Sequence, residues 1–460
     1  MNRWPFGAMG PNMPTSSYSG GIDRDIAVIG AGPAGLACAY TLQEQGVVPV
    51  VLEKDATYAG LCGSFERDGY TFDKFIHAAF SKETWVNRIF AEATDFETHN
   101  NFAITNYWSR HWVTHPIITN LAPLPFSVKS RCILDFIKRG RRPRSDDHNY
   151  EQWLRAQYGD YYVDNFPLKY TRKYWTVEAA ELEDKWVGSR LYNPSLKEVM
   201  VGALSRNPPQ KHYFNEVRYP VRGGFQSFFS HLAQSVDILY DHTIVRLDAR
   251  SRKITFDTGE TAQYETIFSS MPLPELCKAT PDLPREITSA CDRLSATSGV
   301  IVSLGLKSSP RFSGLYFYIY DEDILPARVY SPSRLSSSTT PDKRHSLQAE
   351  IYFSPKKLRR DSFEALLEHT IAKLDAMDVI DKRDVDFTDV RPIPYANVIF
   401  TPEIYEAREA VIGFYRKNNI IPMGRFGEWD YFWSDQSLLS GRNNALSWLR
   451  SREAVQGGKG

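Results

Sequence analysis

Three glycines, Gly30, Gly32 and Gly35, stand in the pattern G-x-G-x-x-G, and a carboxylate, Glu53, follows at close to the spacing of about 20 residues at which such a pattern meets a ribose. Each part has a physical task. Gly30 permits a tight turn, Gly32 lets the backbone approach a pyrophosphate, and Gly35 lets a helix lie on a strand. Pro33 and Ala34 open that helix, whose unpaired N–H groups face the anion. Glu53 can accept from ribose hydroxyls and disfavours a 2′-phosphate. Near the other end, Gly424-Arg425-Phe-Gly-Glu-Trp-Asp-Tyr431 joins a turn to an aromatic stretch, and Ser434-Asp435-Gln436-Ser437 begins a helix. Ser434 or Asp435 can cap it, and its N-terminus can stabilise negative charge on a bound ring.

These groups need elements to hold them. Asp25–Ile29 is a short apolar run that reads as a buried parallel strand. A helix follows from Pro33 to Gln45, and Val48–Glu53 is a second strand, which completes a βαβ unit. Ala59-Gly60-Leu61-Cys-Gly-Ser64 reads as a loop crossing over the cofactor. Residues 150–205 read as helical and rich in Trp and Tyr; 212–300 return to strands, with Asp257–Glu260 as a turn. Val300–Leu306, Leu315–Tyr320 and Ser346–Tyr352 alternate like strands of one sheet; 362–377 and 434–450 read as helices. The dinucleotide motif stands at the head of a long chain and no second G-x-G-x-x-G follows, so the expected cofactor is FAD rather than a nicotinamide. Its contacts are placed at Gly30, Gly32, Pro33, Ala34, Gly35, Glu53, Lys54, Gly60, Leu61, Ser64, Ile244, Gly424, Arg425, Asp435, Gln436 and Ser437. The fold class is α/β: a Rossmann-type FAD domain, interrupted by a substrate domain of mixed sheet and helices.

Bulk properties narrow the rest. The 460 residues carry a formal net charge of zero, which gives no electrostatic reason to expect nucleic acid. The five cysteines are few, odd in number and form no Cys-x-x-Cys. They argue for small buried residues in a reducing compartment, with neither a disulfide framework nor a metal site. Ile26–Gln43 is uncharged but broken by glycines and a proline, so it is not a membrane span. Residues 1–22 lack the apolar centre of a signal peptide and read as a disordered tail, which implies a cytoplasmic protein with no membrane partner. Lys138–Arg144 is a short basic loop, which reads as a solvated linker or else as a phosphate or membrane-surface patch.

The ensemble of motifs resembles the glutathione-reductase-type flavoproteins with an amine-oxidase-like C-terminus, a group that includes protoporphyrinogen oxidases and amine oxidases. It is most similar to the eukaryotic-type UDP-galactopyranose mutases, over about residues 24–445. Phe166 to Trp175, followed by Trp186-Val-Gly-Ser-Arg190, resembles the mutase segment around the nucleotide. Tyr318 and Arg328 resemble a tyrosine and a diphosphate arginine ten residues apart; Tyr431 and, loosely, Tyr395 resemble further diphosphate tyrosines. The resemblance implies substrate contacts at Phe166, Trp175, Arg190, Tyr318, Arg328, Tyr395 and Tyr431. It also implies catalytic placement of His77, Arg190 and Arg328. The chain departs from the family where a Gly-Gly-His loop meets the flavin: here Phe75 and Ile76 precede His77. Ile118 stands where the family has Gln, and Thr171 where it has Asn.

Two activities follow. One is mutase-like ring isomerisation of a nucleotide-diphosphate sugar through reduced flavin, with NAD(P)H an admissible reductant. The other is net oxidation of a sugar, amine or ring substrate by an amine-oxidase or protoporphyrinogen-oxidase type of enzyme. A non-catalytic FAD scaffold is a third class. The expected segments are FAD-binding at 23–100, 212–275 and 396–460, helical substrate-binding at 101–211 and sheet at 276–395, with a homo-oligomer compatible.

Overall fold

A computed structural model describes residues 24–100, 102–139, 149–188, 190–205 and 216–457. The expected tail and most of the basic loop, from residue 140 on, lie outside the described residues.

The first strand, Ile26–Ile29, is buried at all four positions because it sits in the middle of a five-stranded parallel sheet. Val50–Leu52 and Thr266–Ser269 flank it, Ala27 being level with Val50 on one side and Ile267 on the other. Ile420–Pro422 and Ile238–Leu239 form the edges. Strands buried on both faces read as continuous apolar runs, which is how the sequence shows them. The helix Pro33–Glu44 buries Ala34 to Ala39 between this sheet and the final helix, Ser434–Gly457. A three-stranded antiparallel sheet, Ile244–Asp248, Lys253–Phe256 and Thr261–Gln263, turns at the expected Asp257–Glu260.

The second large sheet has seven strands. In its centre, Ala296–Leu306, Tyr316–Ile319 and His345–Phe353 match the expected strands to within a few residues, whereas Arg328–Tyr330 is a short strand that the sequence reading did not name. It is mixed: Tyr316–Ile319 runs parallel to Ile104–Trp108, whereas the other pairs are antiparallel. Val385–Val398 forms one edge. That position explains how a strand accommodates Pro392 and Pro394, which cannot donate to a ladder. Helices Tyr150–Tyr158, Asp160–Asn165 and Pro167–Tyr174 cover the aromatic region.

One expectation is overturned. Cys277 and Cys291 form a disulfide, with Cα atoms 6.7 Å apart, while Cys38, Cys62 and Cys132 are free and buried. The paired cysteines lie on the neighbouring helices Leu273–Ala279 and Arg285–Asp292. Their proximity is set by a helix–turn–helix geometry that Cys counting does not register.

Candidate active site

The glycine loop leaves its strand at Gly30, where φ is +91° and an added Cβ would lie 2.3 Å from Ser270 Oγ. At Gly35 a Cβ would lie 1.8 Å from the Gly30 carbonyl oxygen, so the helix can rest on the loop only with glycine there. At Gly32 a Cβ would meet no protein atom within 4 Å. That glycine answers no packing need; its open side faces the cavity, as a cradle for a closely approaching ligand requires. Glu53, at the end of the next strand, is 6% exposed. Its carboxylate accepts from the Ala31 N–H at 2.7 Å and the Asp55 N–H at 2.9 Å. Burial raises its pKa, and the two backbone donors work against that rise.

A cavity of about 1180 Å³ runs from this loop to the aromatic helices. Gly30, Gly32, Pro33, Ala34, Glu53, Lys54, Gly60, Leu61, Ile244, Gly424, Arg425 and Ser437 line it, as do His77, Trp175, Arg190, Tyr318, Arg328, Tyr395 and Tyr431. Five expected residues do not reach it. Gly35 lies behind the loop. Ser64 hydrogen-bonds Asp73 and Gln226. Phe166 is fully buried against Trp108, Tyr162 and Tyr320. Asp435 accepts from the Gln436 N–H, and the Gln436 side chain accepts from the Trp433 N–H, so these two fasten the start of the last helix. Of the family departures, Phe75, Ile76 and Thr171 line the cavity, whereas Ile118 is buried away from it.

The turn at Gly424 (φ +76°) docks the C-terminal motif onto the glycine helix: a Cβ there would fall 2.6 Å from that of Ala34. The Gly424 N–H donates to Ser440 Oγ at 2.7 Å. Arg425 then donates to the Phe432 carbonyl and, at 2.9 Å, to Asn397 Oδ1. Arg190 donates to the Trp186 and Tyr431 carbonyls at 2.9 and 2.6 Å. The two guanidinium groups flank the ring of Tyr431 at 4.9 and 4.8 Å, a cation–π arrangement that fixes both side chains. The Nε of each is buried without a protein acceptor. Arg328 donates through Nε and Nη2 to the buried Glu350. Tyr395 donates to Glu275 rather than pointing a free hydroxyl into the cavity.

His77 has its Nδ1 2.9 Å from the Phe75 carbonyl oxygen, which can only accept, so the proton is on Nδ1. Nε2 is left as an acceptor for the Cys62 thiol at 3.5 Å. The ring stacks on Phe225 at 5.0 Å. Burial, with Arg425 and Arg328 adding to it, pushes the imidazole pKa down to about 4, and burial pushes the Cys62 thiol up. The pair is neutral at physiological pH.

Several lining residues escaped the sequence reading: Tyr150, Tyr170, Tyr174, Tyr320 and Asn397; Trp186, named only within the segment that resembles the mutases, lines the cavity too. Tyr170 and Tyr174 follow Phe166 at helical spacing and stack on each other at 5.5 Å, a stripe that could have been read from sequence. Asn397 gave no such signal; its Oδ1 accepts from Arg425 and Tyr174, and its Nδ2 has no protein partner.

Glycine cradle, buried carboxylate and docked C-terminal turn together fit a flavin dinucleotide. A family model described as flavin containing amine oxidoreductase matches residues 33–403. The chain belongs to this family; it is a flavin-dependent enzyme with FAD as cofactor. The crystal structure of reduced UDP-galactopyranose mutase has the same fold, at a TM-score of 0.88 and 22% identity, over 93% of this chain and 95% of that one. Putrescine oxidase bound to putrescine shares it at a TM-score of 0.65 and 16% identity, over 93% and 99% of the two chains. The CLA-producing fatty acid isomerase from P. acnes does so at 0.59 and 13%, with the same coverage. An uncharacterized protein encoded 3′ of nifH2 in Methanothermococcus thermolithotrophicus is 47% identical over 53 residues, 12% of this chain and about half (51%) of that protein's length. A mutase, an oxidase and an isomerase on one fold leave the reaction to the site itself. No helix among the described residues is long and apolar enough to cross a membrane.

Proposed function

We propose that the enzyme acts on a nucleotide-diphosphate sugar and isomerises its ring, in the manner of a UDP-galactopyranose mutase. The observation that carries this reading is the convergence of Arg190, Arg328 and Arg425 with Tyr318 and Tyr431 in one aromatic-walled cavity that also holds the glycine loop. Guanidinium forks and phenol hydroxyls bind a diphosphate through charge-assisted hydrogen bonds. Arg190 and Arg425 offer Nε, and Arg328 offers Nη1. Trp175, Tyr170 and Tyr174 supply flat faces for a base or sugar. FAD, when reduced, supplies the electron-rich centre that such chemistry needs. His77 stays neutral and positions the Phe75–Ile76 turn. NAD(P)H serves as reductant, and the FAD and substrate segments divide near the boundaries the sequence suggests, with the edge strand Val385–Val398 carrying the substrate sheet past residue 395.

A second reading, net oxidation, draws support from Phe75. Its ring packs with Ile301, Ala327, Tyr352, Ile393 and Ala396, an apolar environment suited to a C–H or amine donor. The purified enzyme, reduced with dithionite and given a panel of nucleotide sugars, is expected to convert one of them with no net electron change. Peroxide release from unreduced enzyme and an amine, with no nucleotide-sugar turnover, favours the second reading instead.

A further inference from the structure

Ten large apolar side chains stand exposed among the described residues, and seven of them lie on two helices that touch each other. Phe126–Lys138 exposes Phe126, Leu134 and Ile137; Leu196–Leu204 exposes Leu196, Met200, Val201 and Leu204. Phe126 is 80% exposed and Leu204 82%. Neither helix can roll to hide these groups, because each already buries an opposite stripe: Val128, Cys132 and Phe136 on the first, and Val199, Gly202 and Ala203 on the second. At Gly202 a Cβ would come within 2.0 Å of the Thr119 carbonyl oxygen, so the second helix is held close to the body of the protein. A concentration of this kind on a rigid surface marks a binding face rather than scattered exposure.

The charge on the same helices identifies the partner. Lys129, Arg131, Lys138 and Lys197 lie on these helices and Arg139 follows the first; Lys129 donates to the Ala122 carbonyl, and Arg131 and Arg139 lie over the rings of Tyr161 and Phe136, while Lys138 and Lys197 stand exposed, in a chain of zero net charge. The two carboxylates present are already engaged. Asp135 accepts from the Tyr161 N–H, and Glu198 accepts from Ser195 and Tyr192. A second copy seated symmetrically would bring this cationic face against itself, since a two-fold interface is self-complementary. A surface of negative headgroups over an apolar interior matches both features at once.

We propose that these two helices rest on an anionic lipid membrane, as a surface contact without a spanning segment. The FAD-loaded full chain is mixed with vesicles of phosphatidylcholine alone or with phosphatidylserine added, and the pelleted fraction is measured. Co-sedimentation is expected with the phosphatidylserine vesicles, weakening as salt rises. A Phe126→Ser/Leu204→Ser double variant with an unaltered flavin spectrum is expected to bind at least about fivefold less. A Lys138→Glu/Lys197→Glu variant provides an independent arm and should lose the phosphatidylserine dependence. No co-sedimentation, equal binding by all variants, or a dimer seen by light scattering that the double variant dissolves would each overturn the proposal.

Discussion

Arg328 hands Nε and Nη2 to Glu350 at 2.8 and 2.9 Å, and Glu350, which has no exposed surface, also accepts from the Tyr352 hydroxyl at 2.8 Å. The arginine's charge is thus oriented by a partner that water does not reach, and Nη1 is the part left for a ligand. Removing one member of a buried pair strands the other. Glu350→Gln is expected to lower stability by roughly 3–5 kcal/mol, read by urea unfolding. Arg328→Lys removes the planar fork and should weaken UDP binding by about tenfold; unchanged affinity would remove Arg328 from the anion site.

Two glycines make a paired test of close packing. A Cβ at Gly441 would lie 1.9 Å from the Ala34 carbonyl oxygen, so Gly441→Ala must push the last helix off the glycine helix. Loss of bound FAD and a lower melting temperature are expected. Gly413, inside the helix Ile404–Lys417, has nothing within 4 Å of its Cβ position and no positive φ. Gly413→Ala is therefore expected to stabilise by about 0.5–1 kcal/mol with FAD affinity unchanged.

Glu53 is held by two backbone donors, from Ala31 and Asp55. Glu53→Gln turns one acceptor oxygen into a donor facing an N–H, and it removes the negative charge available to ribose hydroxyls. FAD affinity, followed by flavin fluorescence on titration of the apoprotein, should fall by about tenfold, the size of one lost charge-assisted hydrogen bond.

His77 contributes a pH dependence of definite sign. Its imidazole pKa is held near 4 in the folded protein, below its ordinary value of 6.5, so between those values the unfolded chain binds more protons. Stability from this residue therefore rises as pH goes from 4 to 6.5 and is level above. Asp73 acts oppositely: burial lifts its carboxyl to about 6, and its contribution falls as pH rises from 4 to 6. Unfolding measured against pH for wild type and His77→Asn should diverge increasingly up to pH 6.5, then run parallel. Curves parallel throughout would mean that His77 is not buried as a neutral ring.

The FAD half of the fold was legible because its signals are local. Gly30 to Gly35, Glu53 and the apolar strand before them fall within one βαβ unit, where spacing and period carry the geometry. The family likeness brought in Arg190, Arg328 and Tyr431, and all three line the cavity. Phe166 shows the limit of matching by type: it has the spacing of a ligand contact, yet Tyr320 stands between it and the cavity. Glu350, Asn397 and Glu275 were not legible at all. Each acts on a partner far along the chain, and nothing in the neighbouring sequence says that a carboxylate or amide will be turned toward an arginine or a tyrosine. The Cys277–Cys291 disulfide was missed for a different reason: its cysteines are only 14 residues apart, and it is the turn between two adjacent helices that brings them together.

The contact between Gly441 and Ala34 also bears on how the chain acquires its structure as it is made. The helix that carries the cofactor loop, Pro33–Glu44, rests on Ser434–Gly457, a helix that lies far beyond it in chain order. The sheet beneath it takes strands from residues 26 to 422. Domains fold as units while synthesis proceeds, and this one cannot be completed until the final helix has left the ribosome. The glycine loop therefore reaches its packed form only after Ser434–Gly457, made long after it, has docked on the helix that it opens.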